Sequence, residues 1–379
     1  MATDVNRFQP NQWMLMGGAR SKCEHLSGAP LTPDVAQNLY QVTLVKGALA
    51  TTAIEGNTLD EEQARGILDG TFKAPPSRQY QEQGVRNVLD TLGDLHHRII
   101  GGENVQLTTA LVREFNRQVL RGLEAADGVN PGEIRPQSVT VADYRGAPAE
   151  DCAFLLDRLV DWLNSSVFQS EDPELRFALC IARAVYAHLY LAWIHPFADG
   201  NGRTARMVEF MLLARSGLVP IPAAHLLSNH YNLTRDRYYR ELARASKSGG
   251  DTLGFVSYAL EGFVDGIREA IVMVRNQQIY VTWVNYIHSR FAEEPNTKAM
   301  DRQRALVLAM PQGTVFSRAD LEGITSKVAR MYASAGPRTL MRDLNHLSAL
   351  GLIRKVGRMF TANWDVVLAF LPPIAEIDA

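Results

Sequence analysis

The sequence predicts a mainly α-helical protein: a helical bundle that carries one small β-hairpin, followed by a smaller domain of three helices and a second hairpin. Three observations carry this. Apolar residues recur at three- and four-residue spacing in stretch after stretch. Strand-like alternation is confined to one short segment before residue 300 and one after it. The segment EPNTKAM at 294–300 reads as a linker, beyond which the chain changes character. With 379 residues there is room for two or three units of about 150 residues each.

In order along the chain, residues 33–54 predict a helix that ends at Gly56-Asn57, and Thr58 with Glu61 three residues on reads as a capping box opening a second one. Further helices are expected at 82–98, 108–121, 150–164 and 174–194, the last apolar nearly all round and therefore buried. After a loop at 195–202 come helices at 203–216, stopped by Gly217, at 234–247, and at 252–293, the last open to a break into two. Between the fourth and fifth of these, PGEIRPQSVTVADYRGAP alternates Val139 and Val141 with polar residues between turn formers, a small hairpin. Residues 301–370 predict helices at 302–310, 317–324 and 337–350, then two short apolar runs around Gly357.

A composition of 46% hydrophobic and 21% charged residues is that of a globular chain, and a formal charge of -2 excludes a global basic field toward nucleic acid or an anionic membrane. Residues 301–370 differ locally, with ten Lys/Arg against five acids. Three cysteines at unrelated spacings, Cys23, Cys152 and Cys180, fit neither a disulfide framework nor a zinc site, so a reducing, cytoplasmic setting is expected. No signal peptide is expected from MATDVNRFQPNQWM. Nor is a membrane partner, since no apolar run reaches the ~18 residues of a span.

The chemistry concentrates in HPFADGNGRTAR, His195 to Arg206. Proline ends the preceding helix just after His195, which puts the imidazole at a rigid terminus. Two glycines and an asparagine permit positive φ, so that successive amides can point into one concavity, and a helix opens directly behind them. A helix N-terminus with an amide nest binds anions, phosphate above all. Arg203 and Arg206 project from one face of the opening turns toward the same phosphate chain. Asp199 stands where Mg²⁺ beside a polyphosphate takes a carboxylate, and His195 is suited to removing a proton from an attacking hydroxyl. No strand precedes the loop and no Lys-Ser/Thr follows its glycines, so it is not a P-loop.

HPFADGNGRTAR resembles the full Fic signature, HPF-x-[D/E]-GNGR-x-x-R, without departure. The resemblance implies a Fic-type helical bundle and AMP transfer from ATP to a Ser, Thr or Tyr hydroxyl of a protein target, the chain itself included. His195 would be the general base and Asp199 the Mg²⁺ ligand. Gly200, Asn201 and Gly202 would hold α- and β-phosphate oxygens, Arg203 and Arg206 the β- and γ-phosphates, and Phe197 would anchor the loop. The implied organisation is an N-terminal helical region at 1–100, a Fic core at 101–293 and a rear domain at 301–370.

Upstream, Glu55 sits at a helix C-terminus, where the macrodipole disfavours its charge and a cation is wanted. Thr51 to Asn57, TTAIEGN, resembles the inhibitory motif [S/T]-x-x-x-E-[G/A]-N of Fic proteins. That likeness implies a Glu55–Arg206 pair that holds the enzyme nearly inactive, with removal of AMP from a modified target as a second reaction. The hairpin occupies the place of the Fic flap, with Val139, Thr140 and Val141 set to pair with a target backbone. Tyr238 and Tyr239 resemble the tyrosine pair of the nucleotide pocket. Residues 301–370 resemble a winged helix-turn-helix whose surplus of cations suits DNA or a protein partner. A nucleotide-sensing DNA-binding regulator, transfer of another nucleotidyl or phosphoryl group, and a homodimer stay open at this point.

Overall fold

The structure, a computed structural model, describes residues 7–124, 129–141, 144–247, 252–292, 297–333, 335–336 and 338–369. It divides into two compact units, Met1–Val272 and Met273–Ala379.

The first unit is helical. Its elements are α1 (Pro10–Ser27), α2 (Pro33–Ala53), α3 (Glu61–Leu68), α4 (Gln79–Ile100), α5 (Thr109–Leu120), the strands β1 (Thr140–Val141) and β2 (Tyr144–Arg145), α6 (Cys152–Leu163), α7 (Pro173–Ile194), α8 (Asn201–Ala214), α9 (Ile221–Ala224), α10 (Leu226–Leu233), α11 (Arg235–Lys247) and the start of α12 (Leu253–Ala292). Helices α7 and α8 pack together at the centre, and α2, α4 and α5 lie against α8. Asp172 caps α7 by accepting from the amides of Glu174 and Leu175, with Pro173 in the first turn. Along α7 the core takes Phe177, Ile181, Val185, Leu189 and Ile194 among others, which fits its nearly uniform apolar sequence. By length and composition α7 is in fact apolar enough to cross a membrane, against the expectation that no segment is, and most of it is buried within the bundle.

The expected capping box at Thr58 is displaced. Asp60 caps α3 instead, exchanging hydrogen bonds with Gln63, while the Thr58 hydroxyl donates to Gln81. Three helices go beyond those expected here: α1, α9 and α10. Helix α1 buries Gln12, Met16, Ala19, Cys23 and Leu26, a helical spacing built partly from small and polar residues and so weak in the sequence.

Gly47 on α2 faces His225, which is fully buried and stacked on Phe210 with ring centroids 4.4 Å apart. A Cβ on Gly47 would overlap the His225 ring. Gly47→Ala is therefore expected to destabilise the protein by about 1–3 kcal/mol through overpacking, read as a lower midpoint in thermal or urea denaturation. An unchanged midpoint would show that α2 and His225 can move apart freely.

The second unit holds the end of α12, then α13 (Lys298–Leu308), α14 (Arg318–Glu322), α15 (Ser326–Ala333), α16 (Thr339–Ala349), the antiparallel pair β3 (Ile353–Val356) and β4 (Met359–Ala362), and α17 (Asp365–Leu368). Phe316 bridges to Phe360 beside the pair. Its core gathers Trp283, Ile287, Phe291, Leu306, Leu321, Leu344, Leu347, Phe360 and Trp364. Because Trp283, Ile287 and Phe291 belong to that core, the division falls within α12 rather than at 294–300, and α12 runs unbroken. Of the expected linker, residues 294–296 lie outside the described residues and Lys298 to Met300 open α13. Two short helices, α15 and α17, add to the three expected.

Candidate active site

His195 caps α7 in the left-handed region, with φ 51° and ψ 57°, and is the one non-glycine residue with positive φ among those described. Proline at 196 bars continuation of the helix, so the chain turns there. The Nδ1 atom of His195 lies 3.3 Å from the Ala192 carbonyl. With the proton on Nδ1, Nε2 carries the lone pair. Burial lowers the His195 pKa below its ordinary 6.5 and the charge of Arg135 adds to this, opposed by the Ala192 bond and by Glu55 and Asp199. The ring is thus neutral at pH 7, as a base must be.

The turn that follows is held from three sides. Phe197 is fully buried, and its backbone N–H donates to the Asn201 side-chain carbonyl (2.9 Å) while its own carbonyl accepts from the Asn201 amide (2.7 Å). Asn201 was expected to take phosphate oxygens. Both ends of its amide are instead engaged by Phe197, so it staples the loop into the shape that exposes the amides. Gly200 caps α8 at φ 76°, where a Cβ would also press on the Asn116 amide. The amides of Asn201, Gly202 and Arg203 occupy the first turn of α8, where no intrahelical acceptor exists, and so remain available to an anion.

Two side chains outside the turn fix the loop. Asn116 on α5 donates to the Asp199 carbonyl (2.9 Å) and accepts the Gly132 amide (2.8 Å). Arg135, buried ahead of the hairpin, donates from Nε to the His195 carbonyl (2.7 Å) and from its two terminal nitrogens to the carbonyls of Gln137 and Ala147. It ties the turn at His195 to both sides of the hairpin. Arg135→Ala would leave three carbonyls without this donor, at about 1–3 kcal/mol for each that stays buried and unpaired. The expected result is a lower melting temperature together with weaker turnover. A variant as stable and active as the parent would show that Arg135 is dispensable.

Arg206 is fully buried and faces α2. Its Nη2 donates to Glu55 Oε1 (2.7 Å) and to the Thr51 carbonyl (2.8 Å), whereas Nε and Nη1 have no partner. Burial alone would raise the Glu55 carboxyl, but the charge and hydrogen bond of Arg206, with Arg203 and His195 behind them, hold it below its ordinary value. Asn57 secures the end of α2 by donating to the Gln81 carbonyl and accepting the Leu59 amide. A Cβ on Gly202 would overlap Glu55 Oε1, so the Glu55 carboxylate lies directly against the first turn of α8. Arg203 reaches the Asp199 carboxylate at 3.3 Å, and that carboxylate is 58% exposed.

The hairpin pairs Thr140 with Arg145 and Val141 with Tyr144. The side chains of Thr140 and Val141 lie outside the described residues; Val139 is half-buried and its carbonyl accepts the Gly146 amide. A Cβ on Gly146 would stand 3.3 Å from the Cβ of His195, so the hairpin runs beside the base. The tyrosines separate. Tyr238 is buried, its hydroxyl 2.9 Å from His188 Nε2 and its ring stacked on Tyr231, while Tyr239 is 41% exposed. Behind them His188 and Glu209 are both fully buried, and Glu209 accepts from the Tyr231 hydroxyl. Tyr238 thus belongs to a polar network in the core, which leaves Tyr239 open to a ligand.

Residues 106–213 match the model of the Fic/DOC family. That match takes in the whole turn from His195 to Arg206. Over 249 residues, 66% of its length, it is 34% identical to a protein adenylyltransferase fic-1 of Caenorhabditis briggsae, and over 212 residues it is 33% identical to a protein adenylyltransferase Fic of Drosophila willistoni. These alignments span 44% and 38% of the two relatives, so the chain covers less than half the length of the curated proteins it matches. Among solved structures, Fic-1 of Caenorhabditis elegans aligns over 70% of this chain and 73% of that one with a TM-score of 0.58 and 27% identity. A Fic family protein of Desulfovibrio desulfuricans covers 95% of this chain and 98% of that one at a TM-score of 0.57 and 21% identity, a likeness of fold.

Proposed function

We propose that the protein transfers AMP from ATP to a Ser, Thr or Tyr hydroxyl of a protein, and that Glu55 restrains the reaction from within the chain. The observation that carries this is the juxtaposition of three things: the neutral His195 with Nε2 free, the open first-turn amides of α8, and Arg206 with two idle donors. His195 takes the hydroxyl proton as the oxygen attacks the α-phosphorus. The bond from that phosphorus to the bridging oxygen breaks and pyrophosphate leaves. Amides of α8 hold the phosphate oxygens through the transition state, with Arg203 and Arg206 on the departing phosphates.

Asp199 fits a Mg²⁺ ligand, because one exposed carboxylate beside a polyphosphate is what that ion takes from a protein. When bound, Mg²⁺ would neutralise phosphate charge. Arg203 also reaches this carboxylate, at 3.3 Å. Among the described residues no group of three or more His, Cys, Asp or Glu forms a metal cluster, which suits an ion held mainly by phosphate.

The restraint works through charge and space together. Glu55 engages Arg206 and overhangs Gly202, so the γ-phosphate of ATP is displaced from the pose in which the α-phosphorus lines up with the hydroxyl. A water held by Glu55 would serve the reverse cleavage of AMP from a modified target. Beside His195, the hairpin would add the target segment as a further strand and set its hydroxyl in register. Tyr239 would flank the adenine. Intact mass analysis of the Glu55→Gly protein, incubated separately with ATP, GTP, UTP and CTP plus Mg²⁺, tests the reading. Addition of one AMP with ATP is expected; a different adduct, or none, overturns it.

A further inference from the structure

We propose that the second unit binds duplex DNA, with the exposed side of α16 in the major groove and the cations of α15 and the β3–β4 hairpin on backbone phosphates. The charges of the unit make the case. Its described carboxylates are all engaged. Asp301 pairs with Arg304 at 2.6 Å, Glu322 with Arg318 at 3.7 Å and Asp365 with Arg354 at 2.6 Å. Asp343 is fully buried among Arg302, Gln303 and Tyr332, and Asp320 closes a capping box with Ser317. Against these, Lys327, Arg330, Arg338, Arg342, Lys355 and Arg358 are exposed, and no carboxylate among the described residues pairs with any of them. Cations outnumbering acids two to one in the sequence therefore become, in the fold, a surface of unneutralised cations.

Helix α16 gives that surface a shape. Leu340, Asp343, Leu344 and Leu347 face the core. On the other side Arg338, Arg342, Asn345 and Ala349 follow one another at steps of four, three and four from the N-cap, an exposed stripe free of acids and of large apolar side chains. Arginine reads guanine O6 and N7 bidentately, asparagine reads adenine N6 and N7, and the major groove, about 12 Å wide, admits one helix. Phosphate contacts from neighbouring elements would then set its register. Beyond the buried Ile353, β3 exposes Arg354, Lys355 and Val356, and the turn at Gly357 (φ 62°) leads to the exposed Arg358. Val356 is the one large hydrophobic exposed on this hairpin among the described residues, which offers little for insertion into a bilayer.

Fluorescence anisotropy of the full chain with a labelled random-sequence duplex of roughly 20 base pairs, in the absence of ATP, tests the proposal at KCl from about 50 to 200 mM. Binding should weaken steeply with salt. R338A/R342A should lose about tenfold or more in affinity, and K355A/R358A should lower the salt slope by about 2. Circular dichroism melts should match the parent, since all four side chains are exposed. Absence of salt-dependent binding, or an R338A/R342A protein that binds as the parent does, overturns the proposal. So does equal affinity for duplex RNA, whose deep narrow groove side chains cannot read. Retention on phosphatidylserine vesicles in place of the duplex overturns it in favour of a membrane. With no nucleotide in the assay, these outcomes are independent of AMP transfer.

Discussion

Replacing Glu55 with glycine is expected to raise ATP- and Mg²⁺-dependent AMP incorporation by about 5- to 150-fold, the range that a coupling of 1–3 kcal/mol produces. Two effects act in the same direction. The overlap between Glu55 Oε1 and the space above Gly202 is relieved, and Arg206 Nη2 loses its carboxylate partner at 2.7 Å. Arg206 is then a fully buried guanidinium with only the Thr51 carbonyl left to it, a costly state that a triphosphate can relieve. ATP·Mg²⁺ should therefore raise the melting temperature of Glu55→Gly more than that of the parent protein, by the mass-action rule for a ligand that binds only the folded state. Glu55→Gln, which keeps the shape and removes the charge, should fall between the two. If incorporation is the same in all three proteins, Glu55 does not restrain the site.

Removal of the base has the second large effect. In the Glu55→Gly background, His195→Ala should lower incorporation by about 10²- to 10⁴-fold, the usual contribution of general base catalysis, with ATP binding retained because the imidazole does not hold the nucleotide. Loss of ATP binding with loss of activity would assign His195 to substrate binding instead. A pH profile separates these further. Burial places the His195 pKa below 6.5, so the rate should be flat around neutrality and fall only as pH drops through that lowered value. Since the Glu55 carboxylate works to raise this pKa, its removal should move the inflection further down. An inflection above pH 7 would contradict a buried neutral imidazole.

The cradle was legible in the sequence because its parts are consecutive. Proline, glycine and helix-start signals are local, and Arg203 and Arg206 needed only helical spacing to be placed on one face. Glu55 was legible through a motif and an unfavourable helix end. Asn116 was not, because a polar residue in an amphipathic stretch carries no local mark of the carbonyl it will meet 83 residues away; Arg135, with Val139, resembles the R-x-x-x-V of a Fic flap, but that pattern does not say which carbonyls the guanidinium meets. The side-chain partners of Asn201 and Tyr238 were hidden for the same reason: each looks like a free polar group until Phe197 and His188 are in place. The boundary between units was hidden inside α12, where nothing interrupts the helical pattern and only the shared core of Trp283, Ile287 and Phe291 shows which unit each residue serves.

Glu55 and Arg206 are 151 positions apart in the chain, and the acid comes first. During synthesis at about 5–20 residues per second, Glu55 is therefore polymerised roughly 8–30 s before the arginine with which it pairs. By the time the turn at 195–200 and α8 can fold, α2 is already present to pack against them. If Glu55 restrains the site as proposed, a newly made molecule has no interval in which the first turn of α8 is complete and Glu55 is absent, an order of events that a carboxylate placed well after residue 206 would not provide.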